Sequence, residues 1–255
     1  MRGRAAPRHD RDAGGDADLL VAKAALRERV WSALGAAGVA RFPGAAGRIP
    51  NFVGAEAAAD RLRDSEVWRR ASTVKANPDS PQRPVRERAL LDGKTLFMAV
   101  PRLAGERPFL RLDPEHLEGT AREASSIKGA SRFGQPVDVE DLEPVDLVVV
   151  GCVAVGEDGA RLGKGGGFAD LELALAAEAG LVGPSTVVAT TVHDLQVLEK
   201  EAIPLTAHDV LLDLIVTPTR VLRVGRRRRL PKLHWAELTE EKISAIPVLG
   251  RLRDA

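Results

Sequence analysis

The strongest constraint on the fold is the run Val145-Asp-Leu-Val-Val-Val-Gly151, taken together with the glycine loop and helix downstream of it. A strand with one face in water alternates apolar and polar residues; this one does not, so both of its faces must be covered. Ten residues later comes the glycine-rich stretch Arg161-Leu-Gly-Lys-Gly-Gly-Gly167. Next is an apolar helical segment over residues 168–179, with Leu171, Leu173, Leu175 and Ala176 available to a core. A buried strand, a turn at Gly156-Glu-Asp-Gly159, a glycine loop and a helix are the parts of a layered α/β protein.

The rest of the chain reads the same way. Helical spacing predicts a helix over residues 18–37, with Asp18 as its N-cap and Gly35 and Gly38 at its end. Pro43, Gly44, Gly47 and Pro50 place a loop over residues 41–51. Residues 55–70 form one helix with Leu62, Val67 and Trp68 inward, residues 71–75 a short strand stopped by Asn77-Pro78-Asp79. A helix over 84–91 and a strand over 94–100 come next. Residues 102–143 hold scattered Gly and Pro and read as a substrate-facing excursion outside the core. Strands are expected at 186–192, 211–217 and 220–224, the last two joined by a hairpin at Thr217-Pro218-Thr219, and a final helix at 239–245 packs Ile243 and Ile246. The expected fold is therefore α/β: three layers, with a mainly parallel open sheet and helices on both faces. Residues 1–17, rich in Arg, Ala, Gly and Asp, read as a disordered arm, and 18–255 as one domain.

Composition narrows the function classes. A net charge of +1 gives no global attraction to nucleic acid or membrane surfaces. No segment approaches the ~20 apolar residues of a membrane span, and the N-terminus has no apolar core of a secretory signal. The single cysteine, Cys152, excludes an intrachain disulfide, fits a reducing compartment, and reads as a small buried hydrophobe. A cytoplasmic location is expected.

The glycine loop carries the chemistry. Gly165, Gly166 and Gly167 remove every Cβ, so backbone N–H groups can converge on an anion. The helix beginning at Phe168 adds unpaired N–H groups and partial positive charge. Arg161 and Lys164 supply a planar and a mobile cation for phosphate oxygens, and Asp170 in the first helical turn can hold a phosphate-bound Mg²⁺. No Lys-Ser/Thr stands after a second glycine as in a Walker loop, and Gly163-x-Gly165 lacks the spacing of a dinucleotide fingerprint. Locally, a phosphate cradle and a flexible turn both remain open.

The stretch Arg161-Leu-Gly-Lys-Gly-Gly-Gly-Phe-Ala-Asp170 after its strand resembles the 5-formyltetrahydrofolate cyclo-ligase (5,10-methenyltetrahydrofolate synthetase) family, whose pattern is R-x-G-x-G-x-G-Y-Y-D. Lys23-Ala-Ala-Leu-Arg27 is similar to the family's K-x-x-L-R, and Phe133-Gly-Gln-Pro136 to its G-I-x-E-P element. His208-Asp-Val-Leu-Leu-Asp213 and Val216-Thr-Pro218 resemble its ending. Arg48-Ile-Pro-Asn-Phe52, Val74-Lys-Ala-Asn-Pro-Asp79 and Pro81-Gln-x-Pro-Val-Arg86 look like the divergent branch called methenyltetrahydrofolate synthetase domain-containing proteins.

The resemblance implies a phosphosugar isomerase/CoA-transferase-like fold, ATP and Mg²⁺ as cofactors, and a small folate-like substrate. It implies that the formyl oxygen of 5-formyltetrahydrofolate attacks the γ-phosphate of ATP and that N10 then displaces phosphate, closing the methenyl ring. Lys23, Arg27, Arg161, Gly163, Lys164, Gly165, Gly166, Gly167 and Phe168 would meet the nucleotide, Arg161 and Lys164 would serve the transfer, and Asp170 and Asp209 would hold the metal. Such chemistry needs positioning and charge neutralisation and no side-chain nucleophile. Phe168 and Ala169 stand where the family has paired tyrosines, Leu171 where it has a basic residue, and Val150 where it has a proline. No carboxylate stands in Gln82-Arg83-Pro84-Val85-Arg86, where a pterin-holding acid is expected.

Other residues have plainer readings. His193 beside Asp194 reads as a cap, and His193 and His208 are not spaced as a zinc site. Trp31 and Trp68 fall on apolar helix faces. Arg48, Lys75 and Arg86 either bind an anionic substrate or face solvent. Arg226, Arg227, Arg228 and Arg229 read as a solvated edge, with RNA phosphates or a polyglutamate tail as the alternative partners. A non-catalytic relative that binds nucleotide or RNA is the alternative function.

Overall fold

The computed structural model describes residues 12–100, 103, 105–138, 141–199, 203–206, 209–225 and 230–254. Its strands are β1 (Thr73–Ala76), β2 (Thr95–Ala99), β3 (Phe109–Leu112), β4 (Gln135–Val137), β5 (Leu147–Val149), β6 (Ala154–Gly156), β7 (Arg161–Leu162), β8 (Val187–Thr191), β9 (Val197–Leu198), β10 (Leu214–Val216) and β11 (Val221–Arg223). Its α-helices are α1 (Asp12–Ala36), α2 (Ala55–Arg63), α3 (Glu66–Arg70), α4 (Arg83–Leu91), α5 (Ala121–Ala124), α6 (Ile127–Phe133), α7 (Phe168–Glu178), α8 (Glu240–Ala245) and α9 (Pro247–Asp254).

One sheet of eight strands runs in the order β11-β10-β8-β5-β1-β2-β3-β4. The five central strands are mutually parallel, with Val74 opposite Leu147 and Val148 opposite Val188. The flanking strands each pair antiparallel with a neighbour: β11 with β10, β3 with β2, and β4 with β3. As the apolar run at 145–151 required, β5 is buried on both sides. Its period-two pleat sends Val148 and Val150 into one core with Phe97, Val188, Ile215 and the apolar residues of α7, Ile243 of α8 and Leu249 of α9. Leu147 and Val149 enter the other core, with Leu62 of α2, Trp68 of α3, Val85 and Ala89 of α4, and Ala130 of α6. Each such aliphatic side chain contributes about 1.5–3 kcal/mol by leaving water. Helices thus cover both faces of a mainly parallel sheet, the three-layer α/β arrangement expected. A smaller sheet, β7-β6-β9, packs Ala154 and Leu162 against Val30 and Leu34 of α1.

Several expectations need correction. Residues 102–143 are not an excursion outside the core: β3 and β4 extend the sheet, and Phe109, Leu110, Leu112, Ala124 and Ala130 are buried. The expected helix over 55–70 is two helices, because Ser65 Oγ accepts from the Trp68 N–H at 3.2 Å and starts α3 anew. Helix α1 begins at Asp12 instead of near Asp18, so it overlaps the expected arm; residues 1–11, His208 and Arg226 to Arg229 lie outside the described residues. After α8, whose Ile243 and Ile246 are buried as expected, comes the unexpected α9. The hairpin at 217–219 is as expected.

Candidate functional site

From β1 the neighbouring strand on one side is β2, and on the other are β5, β8 and β10, so the strand order reverses between β1 and β5. In open α/β sheets, ligands bind in the crevice beyond the carboxyl ends of the strands at this reversal. A cleft of about 460 Å³ lies there. Asn77, Pro78 and Asp79 leave β1 into it, Gly151 comes just after β5, and Val100 just after β2. The glycine loop and the first turn of α7 form the opposite wall, and Pro43 and Arg48 of the loop before α2 border it.

The floor is held by buried polar contacts. Lys75 and Glu172, both buried, form an ion pair, and Asn77 Nδ2 donates to Glu172 Oε2 at 3.3 Å. Arg86, buried in α4, donates to the carbonyls of Asn77, Asp79 (3.1 Å) and Pro78 (3.3 Å), and from Nε to that of Ser125 at 2.7 Å. A guanidinium fitted to four carbonyls fixes the 77–79 turn. Burial pushes its pKa down to about 9, against the pull of Asp79. Burial likewise raises the Asp79 carboxyl, while Lys164, Arg86 and Arg161 pull it back. Gly151 leaves the floor open: a Cβ there would lie 2.8 Å from Gln82 Oε1 and from Ile49, and 3.1 Å from Asp79 Oδ2.

The expected site residues fall into one charged cluster around the loop. Arg161 is buried in β7, with Nη2 2.5 Å from Asp170 Oδ2 and Nη1 donating to the Gly151 carbonyl at 3.3 Å; its Nε has no hydrogen-bond partner. Burial works against its charge, but Asp170 outweighs this and holds its pKa raised. Lys23 Nζ donates to Asp209 Oδ2 at 2.5 Å, and the same oxygen accepts from the N–H (2.7 Å) and hydroxyl (2.8 Å) of Thr206. Burial raises the Asp209 carboxyl, but Lys23 and Thr206 together hold it below its ordinary value. Arg27 Nε donates to the Gly163 carbonyl at 2.7 Å, and burial lowers its pKa. The Val210 N–H lies 3.4 Å from Asp170 Oδ1, which makes the Asp170 and Asp209 segments neighbours. Arg161, Gly163, Lys164, Gly166, Gly167, Phe168 and Asp170 line the cleft; Arg27 holds the loop from outside the lining, where Lys23 and Asp209 also lie, paired with each other. Gly165 and Gly167 have φ of 108° and 66°, in the left-handed region where other residues are strained.

This arrangement has known relatives. The model of the "5-formyltetrahydrofolate cyclo-ligase family" matches residues 19–218. The chain belongs to the 5-formyltetrahydrofolate cyclo-ligase family. It is similar to a methenyltetrahydrofolate synthase domain-containing protein of Mus musculus, 40% identical over 237 residues that cover 92% of this chain and 64% of the relative. The chain thus spans about three-fifths of the length of relatives of this kind. It is also similar to the 5-formyltetrahydrofolate cyclo-ligase of Escherichia coli (strain K12), 30% identical over 144 residues, 54% of this chain and 71% of that one. The NMR structure of Aquifex aeolicus 5,10-methenyltetrahydrofolate synthetase, 23% identical, shares the fold with a TM-score of 0.52 over 83% of this chain and 97% of that one.

Within this family fold the plain readings of Cys152, His193, Trp31 and Trp68 hold. Cys152 is buried against Thr190, 3.4 Å away, with its thiol pushed up to about 11 by burial. His193 Nδ1 accepts from the Leu195 N–H at 3.2 Å and caps a short turn. Trp68 is core, with Nε1 donating to Asp92 at 2.8 Å, and Trp31 Nε1 donates to the Arg48 carbonyl at 3.0 Å. Lys75 and Arg86, expected to bind an anionic substrate or face solvent, do neither: both are buried, Lys75 paired with Glu172 and Arg86 held by backbone carbonyls, while Arg48 is exposed at the cleft rim. Among the described residues no helix is long and apolar enough to cross a membrane. The residues that sequence reading missed are Asn77, Asp79, Gln82, Gly151 and Glu172. Glu172 had a signal, a charge within an apolar helix face; Asp79 had another, a carboxylate at the end of a parallel strand.

Proposed function

We propose that this chain is an ATP- and Mg²⁺-dependent cyclo-ligase that converts 5-formyltetrahydrofolate to 5,10-methenyltetrahydrofolate. The observation that carries the reading is the two-sided cleft at the strand reversal. One wall is a glycine loop with Arg161 and Lys164; the other carries hydrogen-bond acceptors. The loop wall fits nucleotide phosphates: left-handed glycines expose backbone N–H groups, α7 adds its positive end, and the buried Arg161 Nε lacks a partner. The acceptor wall, Asp79 with the unpartnered Asn77 Oδ1, fits the donor-rich edge of a reduced pterin and stands in for the carboxylate absent from 82–86.

In this reading the formyl oxygen bonds to the γ-phosphorus as the bond to the β-phosphate oxygen breaks, and N10 then attacks the formyl carbon and expels phosphate. The chain's part is to align the two ligands and to neutralise charge on the transferring group with Arg161 and Lys164. Asp170, from the cleft lining, and Asp209, from the neighbouring segment, would hold Mg²⁺ once their Arg161 and Lys23 partners turn to phosphate. When bound, it would screen the phosphate charge. A location in the cytoplasm belongs to the same proposal.

Absorbance at the methenyl band, monitored after mixing protein, ATP, Mg²⁺ and 5-formyltetrahydrofolate, tests this; growth that requires ATP is expected, and none with ATP bound contradicts it. The second reading, a non-catalytic nucleotide-binding relative, is favoured by one observation. The Lys23–Asp209 and Arg161–Asp170 pairs already satisfy the charges that the reaction would use.

A further inference from the structure

Helix α8 lies beyond the residues matched by the family model, yet it reaches the loop. The Lys242 ammonium lies 5.7 Å from the centroid of the Phe168 ring, and a Cβ added at Gly167 would lie 3.3 Å from its Nζ. Gly167 is the N-cap of the eleven-residue α7. That places a cation at the positive end of a helix, on the loop that also carries Lys164 and adjoins buried Arg161. Lys164 Nζ lies 3.8 Å from Asp79 Oδ1 and Arg161 is paired with Asp170, so Lys242 is the cation of the three that an added anion at the helix N-terminus would serve most. Among the described residues no carboxylate is paired with Lys242, and the first turn of α7, Phe168-Ala-Asp-Leu171, supplies no cation of its own. Asp170 there is committed to Arg161. Arg161, which lines the same cleft as Gly167 and Phe168, has a buried Nε without a hydrogen-bond partner, a second donor there that lacks an acceptor. Ile243 and Ile246 anchor α8 in the core, so Lys242 is held over the loop by a packed element and not by a free tail.

We infer that Lys242 is a phosphate-binding residue of the glycine-loop site, so that the C-terminal α8, outside the family-matched region, completes the nucleotide site. The inference rests on the reading of that loop as a nucleotide-phosphate site. The Phe168 ring keeps the ammonium oriented in the manner of a cation–π contact, with its N–H groups left for phosphate oxygens.

The test titrates ATP, and separately inorganic tripolyphosphate, into the full chain and into Lys242→Met and Lys242→Arg, across a range of salt. Methionine keeps the packing on Phe168 and removes the charge. Loss of one charge-assisted contact is expected to weaken both ligands about tenfold in Lys242→Met and to flatten the salt dependence. Lys242→Arg should restore most of the affinity. Unchanged affinity in Lys242→Met, or weaker binding with an unchanged salt dependence, would overturn the inference while leaving the loop reading intact. If the wild-type chain binds neither ATP nor tripolyphosphate, the loop reading falls and the inference with it.

Discussion

Asp79 sits between opposing influences. Burial disfavours its charge, and Lys164, Arg86 and Arg161 favour it, with burial ahead. Because its carboxyl titrates above the unfolded value of about 3.9, its protonation supports the fold in acid, and that support is lost as pH rises through the folded pKa. Asp79→Asn should therefore raise the melting temperature at pH 7.5 and leave it nearly unchanged near pH 3. The same substitution should weaken 5-formyltetrahydrofolate binding about tenfold, as for one charged hydrogen bond. Equal melting shifts at both pH values would contradict this account of Asp79. Sequence could show Arg161, Lys164 and Asp170, because their spacing to the glycines is local. It could not show that Asp79 and Gln82 converge on Gly151, since that meeting depends on two parallel strands lying side by side. Nor could it show that Lys23 takes Asp209 as its partner across 186 residues of chain.

Helix α7 and its loop act as one element. Gly167 has φ 66°, so an alanine there meets the left-handed penalty of about 1–2 kcal/mol, and its methyl would press on Lys242. Gly167→Ala is expected to lower stability by about that much in denaturant unfolding and to weaken ATP binding as well. Stability and affinity both unchanged would show that the loop does not need this conformation. The buried strand and the helix after it were legible because unbroken apolar runs have few solutions. Residues 102–143 were not, because β3 and β4 are short strands at the end of the sheet: β3 takes its place from β2, and the edge strand β4 takes its place from β3, so pairing supplies the pattern that their own sequence lacks.

For the molecule as a whole, the two large cores share the central sheet: alternate residues of β5 belong to opposite faces. Elements that share strands in this way should unfold together. We expect residues 18–255 to melt in one transition with coincident near- and far-UV signals; two separated transitions would divide the chain into domains. The cleft joins the loop wall to the acceptor wall across the strand reversal, and the proposed reaction requires both at once. The decisive measurement is ADP release recorded beside methenyl absorbance in one mixture of the chain, ATP, Mg²⁺ and 5-formyltetrahydrofolate. One ADP for each methenyl product is the expected result; ATP turnover without methenyl formation, or neither signal despite bound ATP, would contradict the proposed cyclo-ligase.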